Sequence, residues 1–161
     1  MMYFRAIIAF LVLPGVVAGL VPALIVAGDT HRGSAWAIGF ALLVLGLALL
    51  LWCVRDFFVS NRGTLAPWDP PKHLVVVGLY RFVRNPMYVG VLTIILGWSL
   101  VFGSAFLALY LAVLAIVFHF RVVLYEEPRL RRQFQMEYEA YAASVPRWLP
   151  RLKPGKDEHL T

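Results

Sequence analysis

Between positions 78 and 90 the chain reads Gly78-Leu79-Tyr80-Arg81-Phe82-Val83-Arg84-Asn85-Pro86-Met87-Tyr88-Val89-Gly90. Two arginines, an asparagine and two tyrosines stand directly before a long apolar run. Anchoring in lipid does not need that chemistry. Asn85 before Pro86 is a helix start, because Asn is a favoured N-cap and proline a favoured first helical residue. A helix start presents free N–H groups and the positive end of the helix dipole. With Arg84 beside it, such an end suits a carboxylate or a phosphate. Tyr88 follows one turn inside, and Gly90 allows close approach of a ligand or another helix. A plainer account also fits, in which Asn85 only caps the helix and Arg81 and Arg84 anchor it at an interface.

A second polar group, Arg121, Tyr125, Glu126 and Glu127, closes the last long apolar run. Arg121 and Tyr125 are four apart and share a face of a regular helix. Two adjacent carboxylates at a helix C-terminus repel each other and oppose the dipole. Pairing with Arg129 or Arg131 is the structural explanation. Binding of a cationic or hydroxyl-rich ligand is the functional one. Arg55 and Asp56, at the end of an earlier apolar run, read as a local pair or as interface residues. His119, inside the last run, reads as an interhelical hydrogen-bonding residue before it reads as a base. The single cysteine, Cys53, excludes an intrachain disulfide, and the four scattered histidines have no metal-ligand spacing.

These groups sit in a chain of 161 residues that is 61% hydrophobic and 15% charged. Soluble domains average about 45–50% apolar residues. The composition points to an all-α integral membrane protein of one domain. The net charge of +6 comes from basic residues flanking apolar runs, which favours a membrane surface over nucleic acid. Four spans are expected, at about 4–27, 35–59, 86–102 and 104–125. The first is longer than a secretory signal, carries Pro14 and Pro22 as kink sites, and reads as a retained span. The last two form a tight hairpin turning at Gly103.

Arg5, Arg62, Lys72, Arg81, Arg84 and the basic residues from Arg121 onward fall on one side, and Arg32 on the other. The positive-inside rule then makes both termini and the loop 60–85 cytoplasmic. That loop is rich in Pro and Gly around Trp68 and reads as a connector or as a structured flap. Pro128 starts a separate helix, about 128–144, with Leu130, Phe134, Tyr138 and Tyr141 on one stripe. It is expected to lie on the membrane or on the hairpin. The tail 154–161 is polar and expected to be disordered. The hairpin topology brings Arg84–Tyr88 level with Arg121–Glu127. A ligand with a carboxylate, an amine, hydroxyls and a flat base would suit that mixture, as would a nucleotide or a phospholipid head group.

Arg84-Asn85-Pro86-Met87-Tyr88-Val89-Gly90 resembles the R-H-P-x-Y-x-G motif of the isoprenylcysteine carboxyl methyltransferase family. Glu126-Glu127-Pro128-Arg129-Leu130, with Phe134, Tyr138, Tyr141 and Pro150, resembles its E-E-x-x-L…F-G-x-x-Y…Y…P ending. Gly63–Trp68 and Gly78–Arg81 are similar to its bacterial branch. Asn85 stands where the family has histidine, and Gln135 where it has glycine. The resemblance implies an integral membrane enzyme of the bacterial inner membrane that uses S-adenosylmethionine. It implies a cofactor site of Arg84, Asn85, Tyr88, Gly90, Glu126 and Glu127, with Tyr80 as a weaker member. Arg121 and Tyr88 are the weak catalytic candidates. The implied acceptor is amphiphilic or lipid-like. Phospholipid or amine N-methylation, and a non-catalytic lipid- or partner-binding scaffold, are the alternatives.

Overall fold

The computed structural model describes residues 14–28, 31–59, 74 and 76–151, with backbone only at 57–59. Residues 4–13 of the expected first span, the Pro- and Gly-rich stretch 61–73 and the tail 154–161 lie outside the described residues. The described chain is helical: α1 Val16–Ile25, α2 Trp36–Val59, a 3₁₀ turn Gly78–Arg81, α3 Pro86–Phe102, α4 Ala105–Arg121 and α5 Glu127–Ser144. No strand occurs among the described residues.

Among the described residues two helices are long and apolar enough to cross a membrane, Trp36–Asp56 and the continuous Ala105–Ser144. At 1.5 Å per residue the 17 residues of α3 span about 25 Å, somewhat less than the ~30 Å hydrocarbon core. Large apolar side chains point outward all along α2 and α4, among them Phe40, Leu47, Leu51, Phe106, Leu109 and Phe120. A water-soluble surface does not sustain so large a patch.

α2 and α3 pack backbone to backbone. A Cβ on Gly97 would meet the Gly39 carbonyl at 2.8 Å, and one on Gly46 would meet the Gly90 carbonyl at 2.8 Å. Two glycine pairs, seven residues apart on each helix, therefore set the contact. Close approach at small residues is how helices gain van der Waals contact in lipid, where the hydrophobic effect gives no drive to associate. Ile94, Ile95 and Val91 fill the remaining seam with Leu50 and Ala18.

The α3–α4 hairpin forms as expected. Gly103 takes the left-handed conformation (φ 62°), and the Ser104 hydroxyl caps α4 by accepting from the Leu107 N–H at 3.4 Å.

Prolines shape both ends of the bundle. Pro22 has no N–H to give to an earlier carbonyl, and α1 opens as a wider π-turn, Val16–Leu20, just before it. The carbonyls so released are satisfied by side chains. Trp98 Nε1 donates to the Ala18 oxygen at 3.1 Å, and the Tyr110 hydroxyl donates to the Val17 oxygen at 3.0 Å.

Pro128 has the same offset from a second π-turn, Val122–Glu126. The expected break at Pro128 is absent for that reason: the widened turn absorbs the proline, and α4 runs through into α5 as one 40-residue helical stretch. Its one interruption is at Gln135, with φ 43° and ψ −117°. That backbone conformation suits glycine and strains any residue with a Cβ. The apolar stripe of α5 also lies elsewhere than expected. Tyr138, Tyr141 and Val145, with Leu130 and Phe134, pack around Leu74 and Val76. Leu74 and Val76, near the end of the loop 60–85, thus pack against α5.

Candidate functional site

Glu127 begins α5 directly after the π-turn, with its side chain only 8% exposed. A carboxylate so buried needs partners. Arg147 supplies a fork: Nε donates to Oε1 at 2.6 Å and Nη2 to Oε2 at 2.9 Å. Arg84 Nη1 donates to the same Oε1 at 3.1 Å and to the Tyr138 hydroxyl at 3.3 Å. Burial by itself would raise the Glu127 carboxyl. The Arg147 hydrogen bond and the charges of Arg84 and Arg147 outweigh it and hold the group below the usual glutamate range.

Arg147 arrives on an irregular, bent segment, Val145–Arg151, that leaves the helix after Ser144. Backbone bonds tie this segment along the approach to α3, from the Arg84 N–H to the Pro146 oxygen at 2.9 Å and from the Arg151 N–H to the Phe82 oxygen at 3.1 Å. The Asn85 amide donates to the Arg147 oxygen at 3.1 Å. Tyr141 donates to the Tyr80 oxygen at 2.8 Å, and burial pushes the phenols of both tyrosines up.

Glu126 faces the other way. It accepts from the Tyr88 hydroxyl, and from Arg121 Nε at 2.9 Å; Arg121 Nε also reaches the Tyr88 oxygen at 3.0 Å. Both contacts to the carboxylate fall on Oε1. Oε2 takes no hydrogen bond from the described residues, and the side chain is 28% exposed. Aromatic rings line this corner. The Tyr88 ring lies 4.6 Å from Phe118 and 6.4 Å from Trp148, whose indole N–H donates to His119 Nδ1 at 3.3 Å.

The sequence profile of the phospholipid methyltransferase family matches residues 34–137. The chain belongs to that family. It is a family of methyltransferases acting on lipid-like substrates, and it includes the isoprenylcysteine enzymes. The chain is also 29% identical over 150 residues to the nickel-cobalt-cadmium resistance protein NccN of Alcaligenes xylosoxydans xylosoxydans. That match covers 89% of this chain and 65% of the relative, so the chain spans somewhat under two thirds of that protein. No solved structure matches the chain.

The phospholipid methyltransferase profile takes in α2, α3, α4 and the first part of α5. Within it, Arg84, Tyr88, Arg121, Glu126 and Glu127 converge at one end of the hairpin. The two acids do not pair with Arg129 or Arg131: the π-turn aims them at Arg84, Arg147 and Arg121, and Arg131 pairs with Glu139 instead. Asn85 occupies the N-cap position but makes no capping hydrogen bond, because its amide is turned to the Arg147 carbonyl. Gly90 faces α2, where a Cβ would meet Leu50 at 3.1 Å. Tyr80 is half-buried behind Tyr141.

Sequence reading missed Arg147 and Trp148, which lie beyond the matched stretch. Their signal is the run Val145-Pro146-Arg147-Trp148-Leu149-Pro150, in which two prolines end the helix and flank an Arg-Trp pair on irregular backbone.

Proposed function

We propose that this protein is an integral membrane methyltransferase. It moves the methyl group of S-adenosylmethionine to an amphiphilic, lipid-like acceptor at the cytoplasmic face, by carboxyl O-methylation or a similar transfer. The observation that carries this reading is the division of labour between adjacent acids. Glu127 spends both oxygens on Arg147 and Arg84, whereas the part-exposed Glu126 keeps Oε2 without a hydrogen bond from the described residues, beside Arg121, Tyr88 and the aromatic corner.

The donor set fits the cofactor. Glu126 is placed to accept an ammonium group, and Arg121, 43% exposed, to bind a carboxylate. Phe118 and Trp148 offer faces for a flat base. When bound, the cofactor brings a methyl group already activated on a sulfonium sulfur. This chain's residues then need only hold donor and acceptor in line. Tyr88 and Arg121 fix the Glu126 rotamer. Arg84, Glu127 and Arg147 fix the floor beneath it. A carboxylate acceptor needs no base. An amine acceptor needs a proton acceptor, and the Nδ1 lone pair of His119 is already engaged by Trp148.

Four spans with both termini and the loop 60–85 cytoplasmic complete the reading, supported by the arginine distribution. The test is titration calorimetry of the detergent-purified protein with S-adenosylmethionine, joined to transfer of radiolabelled methyl into a membrane lipid extract. Glu126→Gln is expected to weaken binding at least tenfold while leaving the folded protein intact. Absence of binding by the unmutated protein would sink the proposal.

A further inference from the structure

On the face of the long α4–α5 helix turned away from Glu126's partners, exposed apolar residues run from Phe106 through Val113 and Phe120 to Leu124. This stripe ends in an open groove of about 460 Å³ lined by Leu124, Tyr125, Pro128, Arg129, Arg132 and Gln133. The side chains change from apolar to basic within the groove. Among the described residues neither Arg129 nor Arg132 has an ion-pair partner, whereas the neighbouring Arg131 pairs with Glu139 at 3.4 Å. Two unneutralised guanidinium groups at the end of a lipid-length apolar stripe are complementary to one kind of molecule. It has a negatively charged phosphodiester at one end and acyl chains at the other.

We infer that this groove docks an anionic glycerophospholipid of the surrounding bilayer. Its phosphate sits between Arg129 and Arg132, with Tyr125 and Gln133 beside it, and an acyl chain lies along Leu124 and Phe120. Charge complementarity selects an anionic lipid over a zwitterionic one, since no carboxylate among the described residues lines the groove to meet a quaternary ammonium. The groove volume falls in the range of small-molecule sites and is larger than a bare phosphate requires. The site is separate from the Tyr88–Arg121–Glu126 corner. The inference rests on α4 crossing a bilayer and not on methyl transfer.

The test uses the full chain purified in detergent and delipidated, without cofactor. Native mass spectrometry follows the addition of phosphatidylglycerol or phosphatidylcholine. The unmutated protein is expected to retain phosphatidylglycerol in preference. Each arginine near a membrane surface contributes about fivefold, so R129Q/R132Q should weaken that binding by roughly 25-fold. R131Q, on the same helix but already paired, should change it little. The single variant R132Q, with its helical content checked by circular dichroism, keeps the test valid if the double variant fails to fold. The inference is overturned by equal retention of the two lipids, or by equal losses in R131Q and R132Q. Displacement of the lipid by millimolar inorganic phosphate would also overturn it. So would a dimer that carries no lipid, because that would assign the face to a second copy of the chain.

Discussion

Replacing Glu127 by Gln keeps the side chain's shape and removes its charge, so it isolates what the buried acid contributes. The carboxylate accepts three hydrogen bonds from two guanidinium groups, at 3.1, 2.6 and 2.9 Å. Removing one partner of a buried ion pair costs about 3–5 kcal/mol, because the other charge is left uncompensated. Here the two arginines differ. The Arg84 side chain is 13% exposed, but that of Arg147 is 31% exposed and can recover water. The glutamine oxygen can still accept one of the bonds. Taken together these reduce the expected loss to ~2–3 kcal/mol. Arg147→Gln should cost less, ~1–2 kcal/mol, since Glu127 would keep Arg84. The double variant should then show a coupling of ~1–2 kcal/mol. Equilibrium unfolding in mixed micelles with a denaturing detergent, followed by tryptophan fluorescence, measures all three. A Glu127→Gln loss under about 0.5 kcal/mol, or strict additivity with Arg147→Gln, would refute the reasoning.

The same acid sets an expected pH dependence. Its folded value is depressed below the usual 4.5, so its contribution is complete above that value and lost as pH falls through the folded value. Stability measured from pH 6 to pH 3 should drop more steeply in the unmutated protein than in Glu127→Gln (roughly one titrating proton apart). Gly97→Ala should destabilise by ~1–3 kcal/mol, because its Cβ would meet the Gly39 carbonyl at 2.8 Å, despite a helix-propensity gain near ~1 kcal/mol. A rise in thermal stability would contradict the glycine contact. Gln135→Gly should stabilise by ~0.5–2 kcal/mol, relieving strain at φ 43° but adding freedom to the unfolded chain, while Gln135→Ala should not. Equal effects of Gly and Ala in a thermal melt would remove backbone strain as the cause.

Features that depend on a few adjacent residues were legible in the sequence. Asn85-Pro86 marked the start of α3, and Phe102-Gly103-Ser104 marked the hairpin turn. The hairpin in turn placed Arg84 and Tyr88 level with Glu126 and Glu127. What the sequence could not show was which charge meets which. Glu127 has basic residues two and four positions away in Arg129 and Arg131, and among the described residues it forms an ion pair with neither. Its partners lie 43 and 20 residues away, brought in by the approach to α3 and by the irregular segment after α5. A nearby opposite charge gains little when both groups stay in water. A distant arginine delivered into a buried pocket can form the fork that nearby exposed ones do not. The glycine pairs between α2 and α3 were hidden for a related reason: each looks like a weak helix position until the facing backbone is known.

The register of the site depends on a proline. In a regular α-helix, residues five apart are separated by about 140° around the axis and cannot share a partner, whereas residues four apart nearly align. On that basis Arg121 belongs with Tyr125. The π-turn reverses this. With i→i+5 bonding through Val122–Glu126, Arg121 comes to face Glu126, five residues on, and donates to it at 2.9 Å. Tyr125 is turned outward, 58% exposed, into the groove with Arg129 and Arg132. Pro128 is the residue that makes a regular turn costly there, since it lacks an N–H and its ring crowds the carbonyl four residues back. The pairing of π-turn and proline recurs at Val16–Leu20 and Pro22, with the same two-residue offset and no charged residue in the turn. Its recurrence without charge assigns the widened turn to the proline and not to the attraction between Arg121 and Glu126. The acid corner at Tyr88 and the basic groove at Tyr125 are therefore two consequences of one backbone event.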